Sequence, residues 1–468
     1  MSISSKDSGL RIIIIGGGIT GLALAHFLEH AGINFVLLEK HHDILANFGG
    51  SVGLQANGCR ILEQVGVYEH LEQWMTATEF IRARLPDGFT WVYPSHLYTS
   101  MLGYPLFMIR RTVLLRCLYD SLKDQSKIKV GSKVLSITRT GCSDGPLSVT
   151  TAEGAQYTGD IVVGADGVHG ITRAEMWRLA EPQLSEPSPE HMTVDYMCIL
   201  GITQPVESLA EMIRMNGIYG TFYKHVVWIV IPNKDNSVNW SALIKLDRTY
   251  AHPNVPKWSQ EEVMTRLEAL EEHTLDGTLK FRAFWEITES ISSVPIYEGI
   301  VQTTTLGRIV CIGDNVFKMS PYLAEGGNLC LESAAILANT LRRLNTPQTK
   351  HTEAEISAGL RDSTAAHMAR LRRRCAESYV LARTIALETW TGWFWLRYFA
   401  KYTATSACYY IMTFQDAGPT LDYLPMPTRA RLASKRLEQM VKKRRRTAWL
   451  SCGVAFGVIS LSFLWFLS

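Results

Sequence analysis

The residues best placed to do chemistry come early. Gly16-Gly17-Gly18-Ile19-Thr20-Gly21 stands between a short apolar run, Leu10 to Ile15, and a stretch with helical spacing, Leu22 to His30. This G-x-G-x-x-G pattern gives each glycine a task. Gly16 permits a tight turn, Gly18 lets the backbone approach a pyrophosphate, and Gly21 lets helix and strand pack closely. Phosphates would rest on the helix N-terminus, where free N–H groups and the dipole favour anions. A second apolar run, Asn34 to Leu38, ends in Glu39, 18 residues after Gly21. A carboxylate there accepts hydrogen bonds from ribose hydroxyls and repels a 2′-phosphate. A merely structural glycine turn leaves Glu39 unexplained, so the pattern reads as a dinucleotide site.

Two distant segments narrow the choice of dinucleotide. Asp160 to Gly164 is an apolar strand leading into Asp166-Gly167, with Arg173 beyond it. Gly307 to Gly313 is another, ending in Asp314 and followed by Ala324-Glu325-Gly326-Gly327-Asn328 at a helix start. Spaced this way, the three motifs resemble those of the class A FAD-dependent monooxygenases, over roughly residues 10 to 345. The resemblance implies FAD as cofactor, with Gly16, Gly18, Gly21 and Glu39 on its ADP half and Asp314 on the ribityl chain. It implies that the helix start at Ala324, Gly326, Gly327 and Asn328 faces the isoalloxazine ring, and that Gly53 lies in a turn close to it. Asp166 and Gly167 would serve both FAD and a nicotinamide co-substrate, NADPH or NADH. Arg111, ahead of an apolar helix, would contact a phosphate, with a solvated helix-start arginine as the other reading. A helix N-terminus at the ring suits an anionic reduced flavin.

The chain also departs from the family pattern. Asn315, Val316 and Phe317 stand where small residues and a histidine are usual, Gly170 replaces a serine, and Glu325 replaces a glutamine. None of these removes a backbone donor. Glu325 does put a carboxylate near the ring, which opposes flavin reduction unless it is neutralised or turned away.

Such motifs must be carried by a parallel sheet with helices behind it, so the expected fold class is α/β. A Rossmann-like FAD-binding domain of glutathione-reductase type would come in three pieces, residues 1–80, 100–185 and 295–345. Into it is inserted a substrate-binding α+β domain with a mixed or antiparallel sheet, residues 186–294 together with 81–99. Its runs Tyr219 to Pro232 and Val238 to Lys245 are strand-like and aromatic. Phe222, Tyr223, Trp228 and Trp240 would line an apolar pocket if their faces point inward, and are plain sheet core if not. Tyr223 is the one catalytic candidate; His225 reads as structural or surface.

The 468 residues are 47% hydrophobic and 19% charged, which excludes disorder as the main state. Nine scattered cysteines without a C-x-x-C pair signal neither a disulfide scaffold nor a metal site. The formal net charge is +3, but from Arg361 onward 17 Lys/Arg face 6 Asp/Glu. A basic tail on a mildly acidic body argues against nucleic acid and for an anionic surface near the C-terminus. Residues 346–446 read as C-terminal helices. The aromatic stretch from Trp390 would lie in a membrane interface, pack on the body or form a second span; Pro425 and Pro427 then precede a basic helix, Arg429 to Arg446. Ala448 to Leu467 is 20 residues without a charge, directly behind Lys442 to Arg446. The expectation is a single-pass membrane anchor over 447–468 that touches membrane lipid, with a cytosolic catalytic body at the endoplasmic reticulum. A buried C-terminal helix is the alternative.

The glycine fingerprint, the segment Phe107 to Arg116 and the apolar tail resemble the fungal flavin epoxidases of meroterpenoid and indole-diterpene biosynthesis. That resemblance implies an enzyme that takes a hydride from NADPH or NADH and one oxygen atom from O₂. It would epoxidise the terminal alkene of a farnesyl- or geranylgeranyl-bearing substrate before a membrane terpene cyclase folds the product. An electron-rich alkene needs no protein nucleophile and no metal. Three other readings stand beside it: a phenol- or salicylate-type aromatic hydroxylase, which needs a base; a reductase of prenyl double bonds; and a non-catalytic flavin-fold membrane scaffold.

Overall fold

A strand buried on both faces has to be apolar along its whole length, and Ile12, Ile13, Ile14 and Ile15 are all buried. A computed structural model describes residues 9–45, 50–140, 145–180, 192–205, 214–275, 279–345 and 351–447. In it Arg11–Ile15 is the heart of a six-stranded sheet, with Asn34–Leu38 on one side and Ile161–Gly164 on the other, all parallel. Ile128–Lys129 extends one edge in parallel and Ile309–Cys311 the other, where Thr305–Leu306 closes the sheet antiparallel. Alternation divides the core: Ile12 and Ile14 pack on the helix side, Ile13 and Ile15 on the opposite side. The helices Ile19–His30 and Gly326–Leu344 cover the first face together with Arg111–Asp120. An antiparallel meander, Val134–Arg139, Leu147–Thr151 and Gln156–Gly159, covers the second.

The second layer system is an eight-stranded sheet in the order Phe317–Lys318, Thr288–Ile300, Thr193–Thr203, Val238–Ala251, Val226–Pro232, Gly217–Tyr223, Phe80–Arg84, Thr90–Tyr93. It is antiparallel except where Gly217–Tyr223 meets Phe80–Arg84. One face buries Trp228 and Trp240 against Phe281 and Phe284. The other face looks toward the Glu353–Ile385 helix, whose N-terminus carries a complete Thr352/Glu355 capping box. Met368 and Leu371 of that helix pack on Leu329 and Cys330, and Ala382 and Ile385 pack on the sheet. One helix therefore ties the two layer systems together.

The aromatic segment forms two helices, Trp390–Tyr398 and Ala400–Asp416, and Leu396, Ala400 and Ala404 bury themselves in the sheet cluster. The last helix is Thr428–Thr447. Among the described residues no helix is long and apolar enough to cross a membrane, and residues 448–467 lie outside the described residues. As far as the described residues reach, this corrects the expected membrane location, and the aromatic segment, folded as two helices packed on the sheet cluster, is no second span; the anchor expected over 447–468 falls outside them.

Candidate active site: two adjoining cavities

Gly16 leaves its strand at φ +106°, and a Cβ there would stand 2.5 Å from the Ala165 carbonyl oxygen. A Cβ on Gly21 would stand 1.9 Å from the Gly16 oxygen. The fold itself requires both glycines. Gly18 is different: a Cβ there meets only an Arg111 guanidinium nitrogen, 3.7 Å away. The space beside it belongs to a cavity of about 520 Å³ that Ile19 and Thr20 also line. Among the described residues no side chain caps the helix that begins here, so its first-turn N–H groups are available to an anion. Glu39, buried at the end of its strand, accepts hydrogen bonds from the Gly17 N–H at 2.6 Å and the His41 N–H at 2.9 Å. Each of its oxygens keeps a lone pair that a ribose hydroxyl can use. Arg111 lines the same cavity, and burial holds its guanidinium below the ordinary value against the opposing pull of Asp314 and Glu39.

The opposite wall comes from the later motifs. Ala324 adopts φ +52°, uncommon for a residue with a Cβ, and that Cβ sits 2.6 Å from where a Cβ on Gly53 would be. Gly53 is glycine because the Ala324 methyl already fills its space. The helix Gly326–Leu344 starts without a side-chain cap, and Gly326 and Gly327 face the cavity. Two helix N-termini thus converge on one space. Asp166 lines it too, but one of its oxygens accepts from the Thr172 N–H at 3.0 Å and hydroxyl at 2.9 Å, and the Asn315 amide bonds the other. Burial raises the Asp166 carboxyl above its usual range despite those bonds. Beside it Gly167, at φ +77°, leaves open space.

Of the residues expected to hold the cofactor, Gly21 and Asn328 do not line this cavity. Asn328 is fully buried and joins two walls: its amide donates to the Gly53 and Ala324 carbonyls at 3.0 and 2.8 Å and accepts from the Gln55 N–H at 3.1 Å. Asp314 is present but engaged, taking a hydrogen bond from Lys318 at 2.6 Å and from the Cys330 thiol at 3.5 Å. Lys318, which sequence reasoning misses, lines both cavities; its i, i+4 spacing from Asp314 is the available signal.

Glu325 turns away from this cavity. Its carboxylate is buried, accepting from Asn57 at 3.0 Å, Arg374 at 3.0 Å and Gln415 at 3.3 Å. Burial pushes the Glu325 carboxyl up, and the Arg374 charge pulls it back. Nearby Glu332 is fully buried as well, yet its pKa is lowered to about 2, because hydrogen bonds from His367 and Arg370 outweigh the burial.

A larger cavity, about 2490 Å³, adjoins the first and shares Ser51, Met108, Arg111, Lys318, Pro321 and Ala324 with it. The eight-stranded sheet is its roof and the Glu353–Ile385 and Trp390–Tyr398 helices its floor. On the strand Gly217–Tyr223, Ile218, Gly220 and Phe222 face this space. The two-residue period therefore sends Tyr223 to the other side. Its ring stacks on His273 with centroids 3.7 Å apart, and its hydroxyl accepts from the Thr274 N–H at 2.9 Å. Tyr223 lines neither cavity, which corrects the catalytic role expected of it. Trp228 is also turned away, donating to the His273 ring at 3.0 Å, whereas Trp240 reaches the cavity edge against Gly201.

This geometry can be set beside known proteins. The model of the "FAD binding domain" family matches residues 10–355. The chain is 33% identical over 435 residues to the FAD-dependent monooxygenase ctvC of Aspergillus terreus, covering 92% of this chain and 90% of that one. The chain belongs to the class A FAD-dependent monooxygenases. It is similarly 35% identical over 467 residues to the FAD-dependent monooxygenase spyC of Aspergillus fumigatus, covering 97% and 96%. Among solved structures, Klebsiella pneumoniae HpxO (the R204Q form, complexed with FAD) superposes with a TM-score of 0.66 at 17% identity, covering 88% and 99%. A salicylate hydroxylase substrate complex does so with 0.64 at 19%, covering 91% and 98%. At these identities the two structures speak for the fold alone.

The residues present fit an FAD. The open flank of Gly18, two uncapped helix starts and the buried Glu39 offer what a pyrophosphate, a ring and a ribose each require.

Proposed function

We propose that this protein is an FAD-dependent monooxygenase that uses NADPH or NADH and O₂ to epoxidise the terminal alkene of a prenyl chain on a fungal secondary metabolite. The observation that carries the reading is the apolar cavity of about 2490 Å³ sharing a wall with the cofactor cavity. Gly16, Gly18 and Glu39 would hold the ADP half, with Arg111 beside the phosphates. Gly53, Ala324, Gly326 and Gly327 would border the ring, with Asp166, Gly167 and Asp314 along the remaining wall. When bound, FAD supplies the activation of O₂ and an electrophilic oxygen. The chain's own work is positioning and exclusion of water. Ile218, Phe222, Ile229 and Leu243 present apolar surface to the substrate, and Pro321 and Ala324 stand at the junction where the alkene would meet the oxygen. No protein base is asked for, which agrees with Tyr223 lying elsewhere. An epoxide of this kind is the natural substrate of a terpene cyclase, the partner this reading implies.

The test is product analysis from a host that makes only this protein and is fed prenylated aromatic precursors. The expected product carries one added oxygen, located on the prenyl chain. A product without added oxygen, or one hydroxylated on the ring, would overturn the reading.

A further inference from the structure

The large cavity is apolar over most of its wall but charged at one end. Glu298 on the strand Thr288–Ile300 and Asp195 on Thr193–Thr203 are only 5% and 9% exposed, and both face the cavity. Arg383 reaches down from the long helix to both, donating to one Glu298 oxygen at 2.8 Å and to Asp195. The Thr249 hydroxyl donates to the second Asp195 oxygen at 2.5 Å. Lys245 donates to Glu388 at 2.8 Å, and the Tyr196 hydroxyl bonds the other Glu388 oxygen. Among the described residues, the one carboxylate oxygen of this cluster without a partner is Glu298 Oε1, which is buried. A second orphan, the buried Tyr322 hydroxyl, belongs to another residue lining the same cavity, between the junction residues Pro321 and Ala324. Tyr322 packs on the same apolar cluster as Tyr196 and Ile296, and Ile296 lies two residues before Glu298 on its strand, facing the same cavity.

Buried polar atoms are almost always hydrogen-bonded, and exceptions call for a reason. Here one residue is clamped by Arg383, which is in turn clamped by Asp195, so the free oxygen is held rigidly rather than left to find a partner. The charges select what it can take. Asp195 and Glu298 share one cation, Arg383, and burial already holds the Glu298 carboxyl above its usual range, so an anionic ligand group is disfavoured. A neutral donor suits a carboxylate oxygen, and the Tyr322 phenol, on the wall of the same cavity, can donate to the lone pair of a hydroxyl.

We propose that Glu298 and Tyr322 form a recognition subsite for a neutral hydroxyl on the substrate, making the preferred substrate an apolar chain that carries one such group. This rests on the epoxidase reading only in taking the apolar part to be prenyl. A site built to bond a hydroxyl rejects analogues that lack it far more strongly than an apolar pocket rejects a size change.

The probes are 2-farnesylphenol and its O-methyl ether, titrated into the FAD-loaded enzyme and followed by the flavin absorbance change, which needs no turnover. The wild-type enzyme should bind the phenol at least about tenfold more tightly than the ether. Tyr322→Phe and Glu298→Gln should each cut that preference below about threefold, mainly by weakening the phenol. Tyr322→Phe should also keep the wild-type unfolding temperature, since the hydroxyl it removes bonds nothing among the described residues; a structural tyrosine would not. Equal binding of the two probes by the wild-type enzyme, or an intact preference in both variants, would overturn the subsite. Binding of neither probe would overturn the subsite and the prenyl reading together. Tenfold discrimination without an oxygenated product would remove the epoxidation and leave the subsite standing.

Discussion

Replacing Gly18 with alanine separates folding from cofactor binding. Gly18 sits at φ −75° and ψ −171°, a conformation open to any residue, and the new methyl would meet no atom closer than 3.7 Å. Stability of the apoprotein should therefore stay within about 0.5 kcal/mol of wild type. With the pyrophosphate lying against this backbone, the methyl takes the space its oxygens need. The loss of one charge-assisted N–H···O bond, about 1.5–3 kcal/mol, weakens FAD binding about 10- to 100-fold. Fluorescence titration of the apoprotein with FAD, paired with denaturant unfolding, reads both quantities. Gly21→Ala is the control: its Cβ would stand 1.9 Å from the Gly16 oxygen, so that variant should not fold. A folded Gly18→Ala protein with wild-type FAD affinity would refute the placement of the phosphates, and an unfolded one would refute the steric argument.

Other perturbations reach different parts of the molecule. Arg374→Met strands the buried Glu325 carboxylate and should cost about 3–5 kcal/mol in chemical denaturation, most of it recovered when Glu325→Gln is added. Glu332 has a folded pKa of about 2 against the ordinary 4.5, so its stabilisation is complete above pH 4.5 and lost as pH falls toward 2. Glu332→Gln should accordingly flatten the acid limb of the stability–pH curve over that window. Tyr223→Phe loses the bond from Thr274 and should cost about 1 kcal/mol of stability while leaving kcat unchanged; a fall in kcat would return Tyr223 to the chemistry.

The nucleotide side of the molecule was legible because its requirements are local. A tight turn, a strand end and a helix start each need a particular residue type at a particular offset, and Gly16, Glu39 and Gly326 meet those needs within a few residues of chain. Only the family resemblance points to Gly53; its reason, the Ala324 methyl 270 or so positions away, exists only in three dimensions. Tyr223 failed for a related cause. Alternation says that it and Phe222 face opposite ways, but not which of the two faces the cavity, because both faces of this strand are buried. Arg374, Glu298 and Tyr322 left no sequence signal at all: a charged helix position, a strand glutamate and a turn tyrosine each read as ordinary surface until the long helix is laid across the sheet.

That helix also explains the departure at Glu325. Glutamate in place of the usual glutamine adds a negative charge at the start of the helix whose N–H groups face the cofactor cavity, and such a charge taken alone weakens the positive end of the dipole. The side chain instead points into the body, where Arg374 and Asn57 meet it and Arg374 is held in turn by Glu377 at 2.6 Å. The cation comes from the long C-terminal helix, at a position beyond the 10–355 match to the family model. Glu325 and Arg374 are thus one feature rather than two. The charge that looks costly within the cofactor domain is compensated by the same helix that floors the substrate cavity, so this buried pair, with Glu332 on Arg370 and Ser320 on Ser378, holds cofactor turn and substrate chamber in register.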